Sequence, residues 1–497
     1  MVITVGISLY GTRLVLLALG AGDFGVFNVV GGAIAMLTFL NAAMASATQR
    51  FMSYAQGEGN DKKQKNIFNV SVLLHFFIAI AVVLLLEVAG YVLFNGVLKI
   101  APDRMEAAQL IYQFLIVSAF FTIISVPYDA VINAHENMLF VAVLGILESI
   151  LKLAIAFFIT YTAFDKLASY GFLMASLAVL LLVIRRIYCH RKYEEVEVNI
   201  RKHFDKPLFK EMTSFAGWSL LGSAASIVTM QGTTIILNSF FGVLVNAAQG
   251  VSNQISGQLM AFSNTMLKAL NPVIVKSEGS NNRKQMLTAS MFGNKLSYLL
   301  LAFFAIPVII EMPYILGVWL KNVPEYAVVF CRLSLIRLSL TQLTVTFSTA
   351  IGATGDIKEY TIYRAIIFMF LLPCCYFIFT TGAPPAAIYV SLIMMVLVLL
   401  VVDVYYGHKR CGLSVEIFIK DVIIRCLNST ILISSIVSIP LFFMDACFFR
   451  LFMVLCLNLI AFLTVTFTIG LSKTEKLIVY PVIKSGVNRL KKNKLWG

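Results

Sequence analysis

Residues 12–32, TRLVLLALGAGDFGVFNVVGG, and residues 233–253, TTIILNSFFGVLVNAAQGVSN, open two stretches that run in step along the chain. Each continues through a run of small and polar residues and then reaches a loop of acid, glycine and base. That loop is GEGNDKKQ at 57–64 in the first copy and SEGSNNRKQ at 277–285 in the second. The copies align at an offset near 220 with short gaps, and each carries a Gly/Asn hairpin, around Asn28 and Asn246. Similarity at that separation is what a duplicated helical bundle leaves in a sequence.

The surroundings of the repeat say what kind of bundle it is. Of the 497 residues 59% are hydrophobic and 13% are charged, against about 25% charged in soluble domains. So much apolar surface needs a bilayer to face. A helix needs about 20 apolar residues to cross the hydrocarbon. Apolar windows between charged or Gly/Pro-rich breaks predict about fourteen spans: 2–20, 24–47, 68–95, 107–133, 138–161, 167–185, 213–241, 244–271, 291–319, 325–350, 361–381, 384–406, 424–444 and 449–471. With both termini in the cytoplasm, the inner loops hold about 28 Lys and Arg and the outer loops 5, a strong positive-inside bias. The net charge of +14 then follows from topology and contact with anionic headgroups, and a nucleic-acid partner is not expected.

Six spans separate the two copies, so both halves share one orientation. The expected fold is an all-α polytopic membrane protein of two six-helix pseudo-repeat lobes plus two C-terminal helices. Its divisions are 1–210 (spans one to six), 211–406 (spans seven to twelve), and 407–497 (spans thirteen and fourteen with a basic amphipathic cytoplasmic tail). The tail, Lys473 to Trp496, is expected on the inner leaflet. Eight scattered Cys and five His form no metal-ligand spacing, so neither metal nor cofactor is expected. The stretch Val2–Gly20 has no basic flank or cleavage site and carries Arg13, so it reads as a first span with a short opening.

A charge at bilayer depth costs about 2.5–3.5 kcal/mol on insertion scales, so embedded charges face a partner or a wet cavity. Candidates are Arg13, Glu87, Asp129, Glu148, Lys152, Lys268, Glu311, Arg332, Arg337 and Arg364. Cations are in excess, which suits an anionic substrate, because arginine matches phosphate bidentately. In the eighth span Asn246, Gly250, Asn253, Gly257, Ala261, Asn264 and Lys268 recur at helical spacing as a small-and-polar stripe. Such a stripe either lines a wet face or permits close helix packing. Asn28, Gly31, Ala35, Thr38, Ala42, Ser46 and Gln49, followed by Arg50, form its counterpart on the second span. Pro127 in the fourth span is a potential bend for gating, and Asp129 beside it a potential proton or cation site. Substrate-binding candidates are therefore Arg13, Arg50, Asn253, Asn264, Lys268 and Arg337; coupling or gating candidates are Asp129 and Pro127.

TRLVLLALGAGDFGVFNVVGG followed by NAAMASATQRF (41–51) resembles the opening of Wzx-type O-antigen and capsular polysaccharide flippases. These belong to the multidrug/oligosaccharidyl-lipid/polysaccharide exporter superfamily. SVPYDAVINAHENM (125–138), SFAGWSLLG (214–222) and ATGDIKEY (353–360) are similar to the same group. The resemblance implies a MATE-like fold with a V-shaped cavity between the lobes. It further implies translocation of undecaprenyl-pyrophosphate-linked repeat units across the bacterial cytoplasmic (inner) membrane by alternating access. Functional cations at places comparable to Arg13 and Arg50 are implied as well, with a lipid-linked oligosaccharide as substrate, membrane lipids as surroundings and polysaccharide-assembly enzymes as possible partners. Relatives have a fuller first span.

Two other readings compete. A cation-coupled multidrug exporter of the same superfamily needs a dedicated carboxylate, for which Asp129 is the candidate. A membrane polymerase or glycosyltransferase needs a large outer loop, and the longest here is about a dozen residues, around Asn95 to Glu106. No enzyme activity is expected.

Overall fold

The computed structural model describes residues 2–97, 102–320, 322–472 and 475–477. For some residues in the first helix, Arg13 and Asn28 among them, it describes the backbone alone. The elements are helices, and the order is set by the apolar runs. The first is α1 (Val2–Glu58), followed by α2 (Asp61–Val92), α3 (Met105–Ala134), α4 (Met138–Tyr161), α5 (Lys166–Lys192) and the short α6 (Ile200–His203). A long α7 (Lys206–Gly279) leads to α8 (Arg283–Ile310), α9 (Met312–Trp319), α10 (Ala327–Gln342) and α11 (Phe347–Ala353). The chain finishes with α12 (Lys358–Thr380), α13 (Ala387–Cys411), α14 (Val415–Phe418), α15 (Arg425–Val437) and α16 (Phe448–Val465).

Among the described residues eleven helical stretches are long and apolar enough to cross a membrane. They match the third to seventh and ninth to fourteenth predicted spans. The first two predicted spans fall in α1 and the eighth in the second half of α7, none of which is among the eleven. The shortfall at the eighth has a chemical reason: Asn246, Gln249, Asn253, Gln254, Gln258 and Asn264 lower its apolar content.

Both long helices are two helices joined end to end. α1 bends at Gly20 (φ 75°, ψ 170°) and α7 at Gly242 (φ 77°, ψ −174°). L-residues avoid this region and glycine enters it freely. The bends are 222 residues apart, and the same interval relates Gly59 (φ 67°) to Asn281 (φ 57°) and the start of α2 at Asp61 to that of α8 at Arg283. The duplication thus persists in backbone conformation. The helix through Pro127, by contrast, runs from Met105 to Ala134 without a non-helical residue, so the breaks in dihedral lie at the glycines.

The chain divides into two compact units, Met1–Ala224 with Val275–Asn282, and Ala225–Ile274 with Arg283–Gly497. In the first, α3 packs against α5, α1 and α2, and α4 against α1. Arg104 holds Asp23, just past the α1 bend, through Nε (2.8 Å) and Nη2 (2.5 Å), and Asp165 ahead of α5 through Nη1 (2.6 Å). The end of α1 meets the end of α7 within this unit. A Cβ on Gly57 would lie 2.1 Å from the Lys276 carbonyl oxygen, and one on Gly279 would lie 2.1 Å from that of Tyr54. The two contacts exchange partners under the 222-residue interval, so the helix ends cross backbone to backbone about a local twofold.

In the second unit α10 packs against α13 and α8, α12 against α13, and α15 and α16 against α8. Two ion pairs tie the last helices to α8 and to the cap of α9 that follows it. Arg450 at the start of α16 grips Glu311 through Nε and Nη2, both at 2.8 Å, and Glu311 is fully buried. Lys295, 1% exposed, donates to both oxygens of Glu475 beyond α16 (2.9 and 2.7 Å). Apart from Glu475–Leu477, the predicted amphipathic tail lies outside the described residues.

Alanine at Gly57 or Gly279 must push two backbones apart, and we expect each substitution to cost about 1–3 kcal/mol, read as a lower unfolding temperature of the purified protein. Alanine at Gly217, whose Cβ would meet nothing within 4 Å, is the control and leaves it unchanged. Glu475→Gln strands a buried ammonium and should cost about 3–5 kcal/mol. A variant as stable as the parent would show Lys295 compensated elsewhere.

Candidate functional site

Embedded carboxylates among the described residues are largely matched. Asp129, two residues past Pro127, accepts from Arg185 Nε of α5 at 2.6 Å within the first unit. Glu148 accepts from Lys152 at 2.6 Å, and Glu311 from Arg450. Asp403 of α13 accepts from Thr344 (2.7 Å), Tyr360 (2.9 Å) and Arg364. Glu87 takes a hydrogen bond from Gln113 (3.2 Å) and borders an open groove of about 560 Å³ with Tyr91, Phe94 and Glu106.

The cations divide differently. Arg332 caps the end of α8 by donating to the carbonyls of Ile309 (2.9 Å) and Ile310 (3.3 Å). Arg50 stacks on Phe51 (4.5 Å), Tyr54 (5.2 Å) and Phe215 (5.2 Å), with Glu211, Glu58 and Glu278 in electrostatic range. Lys268 is exposed, near the end of the predicted span 244–271. The side chain of Arg13 lies outside the described residues. Arg337, ten residues into α10 and so about 15 Å along it, makes no side-chain hydrogen bond or ion pair among the described residues, and its Nε is buried without a partner.

The second half of α7 carries two polar faces. One is buried: Ser252 donates to the Phe330 carbonyl (3.1 Å), Ser256 meets Ser334 (2.8 Å), and Ser263 donates to Gln342 (2.6 Å). These hydroxyls bond α7 to α10 as two helices running in the same direction. The other face is open. Gly250, Asn253, Gln254, Gly257, Gln258, Asn264 and Lys268 are exposed. A Cβ added at Gly250 or Gly257 would meet nothing within 4 Å, so these glycines do not serve close helix packing. Asn253 lies nine residues past the start of the predicted span 244–271, about 14 Å, which on that prediction is near the middle of a hydrocarbon layer. Amides exposed at that depth require water or a polar ligand, since hydrocarbon offers them no hydrogen bonds. On the counterpart stripe Ser46 is exposed and Gly31 has open space; the side chains of Asn28, Ala35, Thr38 and Ala42 lie outside the described residues.

No protein-family profile and no curated protein matches the chain in sequence. Solved structures do match in shape. One is an outward-facing multidrug resistance MATE family transporter of the MOP superfamily, with a TM-score of 0.69 and 15% identity over 82% of this chain and 94% of the other. A MATE in the straight conformation has a TM-score of 0.69 at 15% identity, over 83% and 94%. A third, a MOP superfamily transporter from Pyrococcus furiosus reported with a binding pocket of reverse polarity, has a TM-score of 0.66 at 15% identity, over 82% and 94%. The chain has the MATE fold.

The motif SVPYDAVINAHENM, read as a family mark, has a structural use on this fold. His135 takes a hydrogen bond on Nδ1 from Gln56 (2.9 Å), donates through Nε2 to Glu195 (2.5 Å) and stacks on Tyr193 (4.2 Å). Asn137 bonds the hydroxyls of Tyr188 (2.6 Å) and Tyr193 (3.0 Å), and Glu136 pairs with Lys276 (3.3 Å). The knot lies beside the Gly57/Gly279 crossing. Burial works to raise the Glu195 carboxyl, but the His135 hydrogen bond and Lys65 hold it below the usual carboxylate range.

A depressed folded pKa stabilises the fold above the unfolded value of about 4.3 and stops doing so as pH falls through the folded value. Thermal unfolding of the purified protein between pH 7 and pH 3.5 should therefore show a loss at the acidic end that Glu195→Gln lacks. Parallel curves for the two proteins would remove Glu195 from the acid response.

Proposed function

We propose that the chain is a membrane transporter that carries an anionic lipid-linked oligosaccharide, of the undecaprenyl-pyrophosphate class, across the cytoplasmic membrane by alternating access, with both termini inside. The observation that carries this reading is the open amide face of α7: Asn253, Gln254, Gln258 and Asn264 exposed beside glycines with nothing over them. A sugar chain presents hydroxyls, and a row of amides offers donors and acceptors to match them while excluding lipid. The charge pattern favours an anion, since four embedded carboxylates are held by cations while Arg337 is unmatched. The MATE fold supports translocation, and Asn253, Asn264, Lys268, Arg50, Arg13 and Arg337 are the residues assigned to the substrate.

The fold supports export of drugs equally, because a structure of this shape is a multidrug resistance transporter. A cationic drug coupled to an ion needs an accessible carboxylate, and Asp129 is held by Arg185; Glu87, which borders the open groove of the first unit, is the carboxylate this reading would use.

Both readings are tested in one pair of assays. In cells lacking their own flippase, the wild-type chain should restore surface glycan, and Asn253→Leu, which puts an apolar side chain on the wet face, should lower it about tenfold or more, as loss of 1.4 kcal/mol or more of interaction does. In an exporter-deficient strain neither form should change drug tolerance. Drug tolerance that depends on Glu87, with glycan unaffected, would overturn the lipid-linked reading.

A further inference from the structure

Arg337 is a guanidinium towards the middle of a helical stretch long and apolar enough to span, and among the described residues no carboxylate or carbonyl holds it. Tyr389 of α13 is the group that acts on it electrostatically. Tyr389 is 2% exposed; its ring packs on Phe330 of α10 at 4.8 Å, and its hydroxyl lies near Ser252 without a hydrogen bond of acceptable geometry. Ser252 donates its own proton to the Phe330 carbonyl.

Two side chains from neighbouring helices of the second unit, α10 and α13, thus hold unpaired polar atoms within electrostatic range of each other. A buried phenol without a partner is costly, and a half-buried guanidinium whose Nε is sealed from water without one adds to that cost. A phenol oxygen can accept from a guanidinium, but the two make no hydrogen bond here, so the guanidinium N–H and the phenol O–H are both left to donate. A pair of donors carrying a positive charge is complementary to an anion. The planar guanidinium, with Nε free, presents a fork that fits two oxygens of one oxyanion better than a single spherical ion.

We propose that Arg337 and Tyr389 form an oxyanion subsite inside the second unit that takes one phosphate group. This rests on the transport reading above and deepens it: the subsite would receive the phosphate of the lipid carrier at mid-membrane, where no water shell is at hand to stabilise it. The same chemistry fits a free phosphate, and the test separates the two sources.

The full-length protein, purified in detergent in gluconate buffer, is titrated with inorganic phosphate, inorganic pyrophosphate and a short prenyl pyrophosphate while thermal unfolding is followed. At least one of these should raise the unfolding temperature by about 3 °C or more at saturation. Arg337→Gln should abolish the rise and Tyr389→Phe should weaken apparent affinity severalfold, while Lys284→Gln, at an exposed cation at the start of α8, keeps it. Tyr389→Phe preserves the ring packing and serves if Arg337→Gln does not fold. A rise with the inorganic anions assigns the site to free phosphate, and a rise with the prenyl compound alone assigns it to a lipid headgroup; both support the subsite. No rise with any of them, or equal rises in the parent, Arg337→Gln and Tyr389→Phe, overturns it. Surface glycan is measured in parallel. An Arg337-dependent rise in a protein that restores no glycan would sink the transport reading and leave the subsite, and restored glycan without such a rise would do the reverse.

Discussion

A polar group at bilayer depth must find a partner inside the protein or a wet surface to face, because hydrocarbon supplies neither hydrogen bonds nor ion solvation. That constraint organises this molecule. Asp129, Glu148, Asp403 and Glu311 are each met by a cation, and Ser252, Ser256 and Ser263 bond α7 to α10. Among the described residues, the open amide face of α7 and the Arg337–Tyr389 pair keep polar groups beyond that internal pairing. Our functional proposals follow from that remainder.

The second organising feature is duplication with a 222-residue interval. It sets the bends at Gly20 and Gly242, the left-handed residues Gly59 and Asn281, and the reciprocal contacts of Gly57 and Gly279. Glycine is required at these places for two different reasons. At the bends the backbone enters a region closed to side chains. At the crossing the backbone is helical, and the requirement is room, since a carbonyl oxygen occupies the volume a Cβ would fill. The ion pairs of Lys295 and Glu311 are not duplicated features: they hold the closing helices and the start of the tail to α8 and the cap of α9.

The helices and the repeat were legible from residues alone because both are written in local terms. Apolar runs of bilayer length, interrupted by loops, need no knowledge of neighbours to be recognised. The α7 stripe was legible for the same reason, as a period of three and four. Its sense was not, because small residues at that spacing serve packing and wet surfaces alike; open space over Gly250 and Gly257 separated the two. Pro127 pointed to a bend, and the helix continues through it with no break in its dihedrals, since surrounding packing can absorb one missing hydrogen bond.

Embedded charges show the division most plainly. Composition and spacing determined that the chain is helical, apolar on a bilayer scale, duplicated, and richer in embedded cations than acids. Which cations find partners was decided by tertiary structure: Arg332 on the end of α8, Arg364 on Asp403, Arg450 on Glu311, with Arg337 left over beside Tyr389. Partners such as Lys295 and Glu475 are 180 residues apart, and Arg337 and Tyr389 stand on helices separated by a further full span. Periodicity reports which face of a helix a residue occupies. It carries no record of what the facing helix brings, and a charge takes its meaning from that neighbour.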